Sequence, residues 1–488
     1  MLIQESASGE GRYPKRYRSI SRVVALSIVL GGVAGSATAT AQNSGGDNPA
    51  AVEEPNAPVR TLAELVAAAR ANYPGLRAAA HRVEAAEAQL TEATYSPFFQ
   101  VSADAALGIA PRTTGSPIYS RDSQLPLDNP WEPFYRVGAQ AVIPLWTFGK
   151  ITGLRDAAKA GVDAAKEGKD VSLAQLLFNV RRAYYSLQMS LDIQQMLDEG
   201  QGKLEDAARR LEQRIEENDP EVNELDRYRL ITTIAEVRGR RSETERLEHS
   251  AHDALLALTG IKRFTVPECP LSVVEYELKR PSDYVSRAIE DRPDLAMARA
   301  GMRARHAEDD IYTAKYFPDI ALALSASTSI APGITDQSNP FIIDRGNFQS
   351  IGGAIVARWD LDLIGHWQRD KRTDAQVEET RALVDEALAG VKIEVSATYH
   401  EVVEAEQRVE AWGEGHRDAR EWFVAAAQGY QIGTVDPKEL IDAVKAYFSA
   451  RASHVIAIMD YNTAIAKLSR VTGQDLLPEK KWEILCEE

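Results

Sequence analysis

The chain of 488 residues has no long apolar run, since no stretch of 18 or more apolar residues follows its first 41 residues. This absence argues against a membrane-spanning helix in that region, which would need about 20 such residues. HExxH, G-x-S-x-G and glycine-rich phosphate-loop motifs are also missing, so neither a catalytic centre nor a cofactor is expected. Positive charge is scarce: 56 Lys and Arg face 72 Asp and Glu, a formal net charge of −16 that disfavours nucleic acid as a partner.

Histidine and cysteine are sparse. Among eight histidines, His249 and His252 are spaced for a metal pair, but with no third ligand nearby they are interpreted as a solvated helix face, and no metal site is predicted. The two cysteines, Cys269 and Cys486, follow the two halves of the chain. A disulfide between them is a hypothesis, which requires an oxidising compartment and Cα atoms within about 7 Å.

The N-terminus has the pattern of an export signal. Basic residues (Lys15, Arg16, Arg18, Arg22) precede an apolar run over 23–34 and the small-residue triplet Ala39-Thr40-Ala41. This order is typical of a secretory signal peptide over residues 1–41, with cleavage before Gln42. The mature chain is therefore expected beyond the inner membrane.

The chain repeats itself. Landmarks recur in order at a spacing of 213 to 221 residues: Pro97 and Pro318, Ala110 and Ala331, Gly149 and Gly365, Tyr185 and Tyr399, Thr259 and Thr472. Such a period predicts two tandem structural repeats. We place them at 61–260 and 282–473, with an N-terminal linker at 42–60, an equatorial linker at 261–281 and a C-terminal tail at 474–488.

Each repeat contains two stretches of alternating polar and apolar residues. They predict strands at about 98–109, 135–147, 319–330 and 350–362, each near the length at which a tilted strand crosses a membrane. The long polar connections, 110–134 and 331–349, resemble the outer loops of a barrel. Four strands cannot close a barrel, for which about eight are needed. Two copies would supply eight strands and three would supply twelve, and only twelve leave a useful aqueous lumen. The alternative is two amphipathic hairpins on a soluble domain.

Two segments predict very long helices. Residues 150–215 and 366–431 contain no proline and are rich in Ala, Glu, Arg and Leu, so each helix would reach about 100 Å. A helix of that length must bury a stripe against neighbours as a coiled coil. Shorter helices, expected at about 74–96, 221–259, 293–316 and 438–472, would stack in pairs beside the long ones. The predicted fold class is mainly α with a membrane β-barrel, each repeat being a β-hairpin plus long coiled-coil helices.

Residues 429–443, GYQIGTVDPKELIDA, with the helix that follows to Gly473, resemble the closing helix pair of TolC-type outer-membrane efflux proteins, the outer membrane factors. The strand-to-helix junctions Gly149 and Gly365 agree, and the resemblance covers about 59–475. It implies a trimer with a 12-stranded β-barrel in outer-membrane lipid and a 12-helix α-barrel tunnel in the periplasm. It also implies a passive exit duct of a tripartite efflux or type I secretion system, docked on a periplasmic adaptor and an inner-membrane pump or ABC transporter.

Two other classes stay open on the residues alone. A periplasmic coiled-coil adaptor, or a structural protein without a pore, would also have long coiled coils but would lack two alternating hairpins. A periplasmic enzyme would need a catalytic constellation, which the chain does not show.

The resemblance assigns roles at the second helical tip. A Tyr, a Gly and two acids that close or filter the periplasmic entrance in the family match Tyr430, Gly433, Glu439 and Asp442. Three copies of the acids would form a ring of six carboxylates favouring cations. Glu439 also has a local explanation, because Asp436, Pro437 and Glu439 fit the N-cap, N1 and N3 positions of a helix.

Adaptor contact is assigned by the resemblance to Ile432, Gly433 and Thr434. Two departures from the family's pattern limit these assignments. Val435 stands where family members often have an arginine that tethers the closed entrance. The first tip has Glu217-Asn218-Asp219 where the family usually has a small apolar patch. Either adaptor contact differs between the two tips, or the cognate adaptor is basic where it meets one of them.

Overall fold

The structure, a computed structural model, describes residues 57–477 except 99, 115–129, 218–223, 337–340, 342 and 433. Every described residue belongs to one unit of the chain, which spans residues 56–488. The predicted signal peptide, Cys486 and much of the two outer loops lie outside the described residues.

Eight helices and four strands make up the described part of the chain, apart from one short 3₁₀ turn. The helices are α1 (Leu62–Asn72), α2 (Pro74–Tyr95), α3 (Lys150–Glu216), α4 (Glu224–Thr259), α5 (Pro281–Asp291), α6 (Pro293–Ala314), α7 (Leu363–Gln431) and α8 (Pro437–Thr472). The strands are β1 (Gln100–Pro111), β2 (Trp131–Trp146), β3 (Asp319–Ile330) and β4 (Phe348–Arg358). Among the described residues, every helix is too short or too polar to cross a membrane.

The two long helices organise the packing. α3 has 67 residues and α7 has 69, so each is about 100 Å long. α4 packs along α3 and α8 along α7, while α2 lies on α3 and α6 packs between α3 and α7. Pro74 and Pro293 each begin a helix, and a single residue separates each proline from the end of the preceding shorter helix. Proline is well suited to the first helical turn, where its missing N–H is not needed.

Two glycines at matching positions in the repeats, Gly260 and Gly473, lie where the ends of α4 and α8 meet α1 and α5. Asn72 Nδ2 donates a hydrogen bond of 3.0 Å to the Thr259 carbonyl beside Gly260, whose φ is 68°. Gly473, with a φ of 75°, lies against Asp291 in the same way, and a Cβ there would come within 2.6 Å of the Asp291 carbonyl oxygen. Both glycines end helices in the left-handed conformation that glycine adopts easily.

The strands form one antiparallel sheet in the order β1-β2-β3-β4, so the β2–β3 pair joins the two repeats. Strand β2 begins at Trp131, earlier than the predicted 135, because the β1–β2 ladder continues to the pair Pro111 and Trp131. A register shift between Pro144 and Trp146 places a bulge where proline has no N–H to donate.

The two junction glycines differ in conformation. Gly149 has a φ of 101° and precedes α3, and the preceding residue Phe148 also has a positive φ, of 51°. Gly365 lies within the first turn of α7 and donates its N–H to the Asp362 carboxylate at 3.0 Å. A Cβ at Gly365 would collide with that carboxylate. Glycine therefore suits the backbone conformation at 149, whereas at 365 a larger residue would displace the Asp362 carboxylate from its present position.

The main core lies midway along the long helices. Fully buried side chains from α1, α3, α4, α5, α7 and α8 meet there, including Leu65, Tyr185, Leu255, Tyr284, Val395 and Leu468. Arg181 is buried among them, and its guanidinium pairs with the Asp475 carboxylate at 2.6 Å. This belt holds the two repeats together.

Candidate functional site

The C-terminal ends of α3 and α7 lie at the same end of the molecule. Arg214, in the last turn of α3, places its Nη1 3.3 Å from the Tyr430 hydroxyl in the last turn of α7. Its guanidinium carbon lies 5.9 Å from the Tyr430 ring centroid. Tyr430, which the sequence predicts to lie at the entrance, is thus half-buried and held by a cation from the first repeat.

Sequence reasoning missed Arg214. A basic residue in the last turn of a helix is common because it complements the negative end of the helix dipole. Nothing in the sequence alone shows that this arginine meets the other tip. The register between the two helical hairpins decides the contact. Arg214 supplies a cation at the tip, although Val435 stands where the family resemblance leads one to expect an arginine.

The second turn is tight and apolar inside. Thr434 donates both its N–H and its hydroxyl to the Gly429 carbonyl, at 2.9 and 3.1 Å. Gly429 is buried, and a Cβ there would collide with the Val435 side chain. Val435 therefore packs against the end of α7, where it closes the turn.

The start of α8 places the two predicted acids in different environments. The Asp436 carboxylate caps the helix by accepting the Lys438 N–H at 3.1 Å. Glu439, in the first turn, is exposed and accepts a hydrogen bond of 3.0 Å from the Trp422 indole N–H. Asp442 is exposed one turn further along, and within the described residues no hydrogen bond or ion pair holds its carboxylate.

The predicted adaptor patch is exposed where the structure describes it. Ile432 has 76% of its surface exposed, and Thr434 is exposed beside it. Gly433 lies outside the described residues. At the first tip, Glu217 caps α3 by donating its N–H to Gln213 at 3.0 Å, while Asn218 and Asp219 are not described.

The remaining predicted sites lie far from the tips. His252 stacks on Phe264, with ring centroids 4.8 Å apart. Among the described residues, no three His, Cys, Asp or Glu side chains are grouped to hold a metal. Cys269 is disulfide-bonded, and its predicted pairing with Cys486 stays a prediction because Cys486 is not described.

One chain thus combines a small antiparallel sheet with two helices about 100 Å long, α3 and α7, whose C-terminal ends meet at the end away from the sheet. This arrangement defines an elongated, mainly helical protein with a small antiparallel sheet. A family model described as outer membrane efflux protein matches residues 65–217 and 284–474. The chain belongs to this family, so it is an efflux channel protein of the outer membrane of a Gram-negative cell.

Individual relatives agree with this assignment. The probable outer membrane lipoprotein SilC of Salmonella typhimurium is 22% identical over 428 residues, which cover 84% of this chain and 85% of SilC. The cation efflux system protein CusC of Escherichia coli K12 is 22% identical over 414 residues, 82% of each chain.

Solved structures show the same fold. The outer-membrane channel OprN superposes with a TM-score of 0.70 at 20% identity, over 86% of this chain and 91% of OprN. The open state of the Neisseria gonorrhoeae channel MtrE gives a TM-score of 0.68 at 17% identity, over 85% of this chain and 89% of MtrE. The predicted fold class, mainly α with a small sheet, is confirmed, and the trimeric barrel stays a prediction.

Proposed function

We propose that three copies of this chain form one continuous exit duct, with a 12-stranded barrel in the outer membrane above a 12-helix tunnel in the periplasm. The duct docks on a periplasmic adaptor and an inner-membrane pump or ABC transporter. It is a passive conduit that catalyses no reaction. The observation that carries this proposal is the four-stranded sheet, which is incomplete as a single copy.

The sheet has one apolar face and one polar face. Because side chains paired across strands share a face, Val101, Ala141 and Leu324 lie on one side, and Ser102, Gln140 and Ser325 lie on the other. Leu107, Ile351 and Ile355 on the apolar side are 82%, 90% and 71% exposed. A sheet of this kind is suited to lipid on one face and water on the other.

Both edges of the sheet present backbone groups for pairing. In the described part of the chain the sheet ends at β1 on one side and at β4 on the other. Exposed strand edges are templates for another chain. Pairing β4 of one copy with β1 of the next repeats the contact around a ring, and three copies supply twelve strands.

The helices give independent support for assembly. α4 and α7 carry large apolar side chains on the outside of the single chain, among them Leu225, Tyr228, Leu383 and Ile393. Ile393 is 70% exposed at the level of the central belt. Contact between the outer helical surfaces of neighbouring copies would cover these residues.

The test is the mass of the untagged protein extracted from outer membranes in mild detergent, measured by native mass spectrometry. We expect a trimer, and we expect Ile393→Asp to weaken it, because a charge would be buried at the contact. Ile393→Met is the matched control and should leave the trimer intact. A stable folded monomer of the parent protein would refute the proposal.

A further inference from the structure

Two histidines face each other across the second helical hairpin. His416 of α7 and His454 of α8 have ring centroids 5.8 Å apart, with ring planes inclined at 35°. Gly413, one turn before His416, allows this approach, because a Cβ there would lie 3.3 Å from His454 Nε2. The packing of α7 on α8 therefore brings together two imidazoles from distant positions.

One ring nitrogen of this pair is buried without a partner. His416 Nε2 is shielded from solvent and makes no hydrogen bond. Each nitrogen of a neutral imidazole is either a donor or an acceptor, so such a nitrogen has unused binding capacity. Tyr447 packs on His416 at 5.6 Å between centroids and Phe423 stacks on Tyr447 at 5.5 Å, which closes one side of the pair with aromatic rings.

Charged side chains also lie near the pair. Arg451 and Arg420 are close enough to act on the charge of His416, and so is Asp192. Arg451 is ion-paired with Asp192 at 3.5 Å, so a carboxylate offsets its charge.

We propose that His416 and His454 bind one late first-row transition-metal ion per chain, bridging α7 and α8. Imidazole nitrogen suits copper, zinc and nickel, and Cu²⁺ has the highest affinity in that series. Metal–nitrogen distances of about 2.0–2.1 Å place two ligand nitrogens of one ion within about 4 Å of each other. Since nitrogens lie on the ring and not at its centre, centroids 5.8 Å apart permit that span.

The site has two protein ligands. The described residues offer no third His, Cys, Asp or Glu grouped with the pair. Both histidines are half-buried, and water would have to supply the remaining ligands from the exposed side of the pair. A site of this kind releases its ion more readily than a closed four-ligand site. The proposed metal site is formed within one chain, so it does not depend on how the duct assembles or on what the duct exports.

The experiment titrates Cu²⁺ into the full-length, untagged protein in detergent and records electron paramagnetic resonance spectra. We expect one tightly bound Cu²⁺ per chain, with hyperfine structure from two nitrogens. His416→Gln and His454→Gln should each weaken binding at least tenfold. His249→Gln, at an exposed histidine of α4, is the matched control and should bind like the parent.

The nitrogen count in the parent protein tests the site even if a variant fails to fold. A one-nitrogen spectrum, or no stoichiometric binding, would refute the bridge. Parent-like Cu²⁺ affinity in correctly folded His416→Gln and His454→Gln proteins would also show that the two histidines only pack against each other.

Discussion

The two acids at the start of α8 are predicted to have different roles, and single substitutions separate them. Glu439 accepts a hydrogen bond from Trp422 at 3.0 Å and lies in the first turn of a capped helix. Asp442 is exposed and has no such partner among the described residues. We therefore expect Glu439→Gln to change stability and Asp442→Asn to change ion selectivity.

The magnitudes follow from these contacts. Glu439→Gln keeps an oxygen that can accept the indole hydrogen bond but loses the charge at the helix N-terminus, so the cost is about 0.3–1 kcal/mol. Glu439→Ala loses the hydrogen bond as well, which adds about 0.5–1.5 kcal/mol. For Asp442, three carboxylates about 8 Å from a passing cation would lower its energy by about 1.5 kcal/mol at the permittivity of water, roughly a tenfold enrichment.

The assay is single-channel recording in planar bilayers at low salt, with the thermal unfolding of each detergent-solubilised trimer measured in parallel. Asp442→Asn should reduce cation selectivity and weaken block by multivalent cations from the periplasmic side, with unfolding unchanged. Glu439→Gln should unfold earlier and keep parent selectivity. If Asp442→Asn keeps both the selectivity and the block of the parent, Asp442 does not line the constriction.

Three further predictions concern the tip, the belt and pH. Arg214→Ala should raise the mean single-channel conductance by loosening the contact between the tips. Arg210→Ala, on an exposed face of α3, is the control and should conduct like the parent. Equal conductance in the parent and both variants would contradict this prediction. Asp475→Asn removes the partner of Arg181 and should destabilise the protein by about 1–3 kcal/mol, measured by denaturation. This is less than the cost of breaking a fully buried pair, because Asp475 is one-third exposed. Glu243→Gln, in the surface pair with Arg240, is the control and should cost about 0.5 kcal/mol or less. Burial lowers the pKa values of His416 and His454 in the folded state, so the unfolded chain binds more protons than the folded chain as pH falls through 6.5. The free energy of unfolding should therefore drop in that range, and the drop should be smaller in His416→Gln. An unchanged pH profile in that variant would show that the pair is not responsible.

The sequence was sufficient for the elements with strong periodicity. Alternation over ten or more residues identified the strands, and long proline-free segments identified α3 and α7. Helices α1 and α5 were missed because 11-residue helices have little stability of their own. They form because Leu65 and Tyr284 are completely buried in the central belt, and that burial depends on distant segments of the chain.

The contacts that define the sites were harder to predict. Arg214 meets Tyr430, and His416 meets His454, only through the register of one helix against another. A shift of one helical turn would separate either pair, and the sequence does not fix such a shift. Capping is local by contrast, so the positions of Asp436 and Glu439 in α8 could be assigned from spacing alone.

The two repeats agree most closely where their surroundings are the same. At the belt, Gly260 and Gly473 both have positive φ and end helices that meet α1 and α5. A tube built from three copies would place six nearly equivalent helix pairs there, so each repeat must satisfy the same packing. The ends have no such constraint. Gly149 precedes α3 with a positive φ, whereas Gly365 lies inside the first turn of α7. The second tip presents an exposed isoleucine, Ile432, beside a tight turn, whereas α3 ends at the acidic residue Glu217. The repeats are therefore expected to differ in function at their ends, where each would meet the membrane or a partner protein.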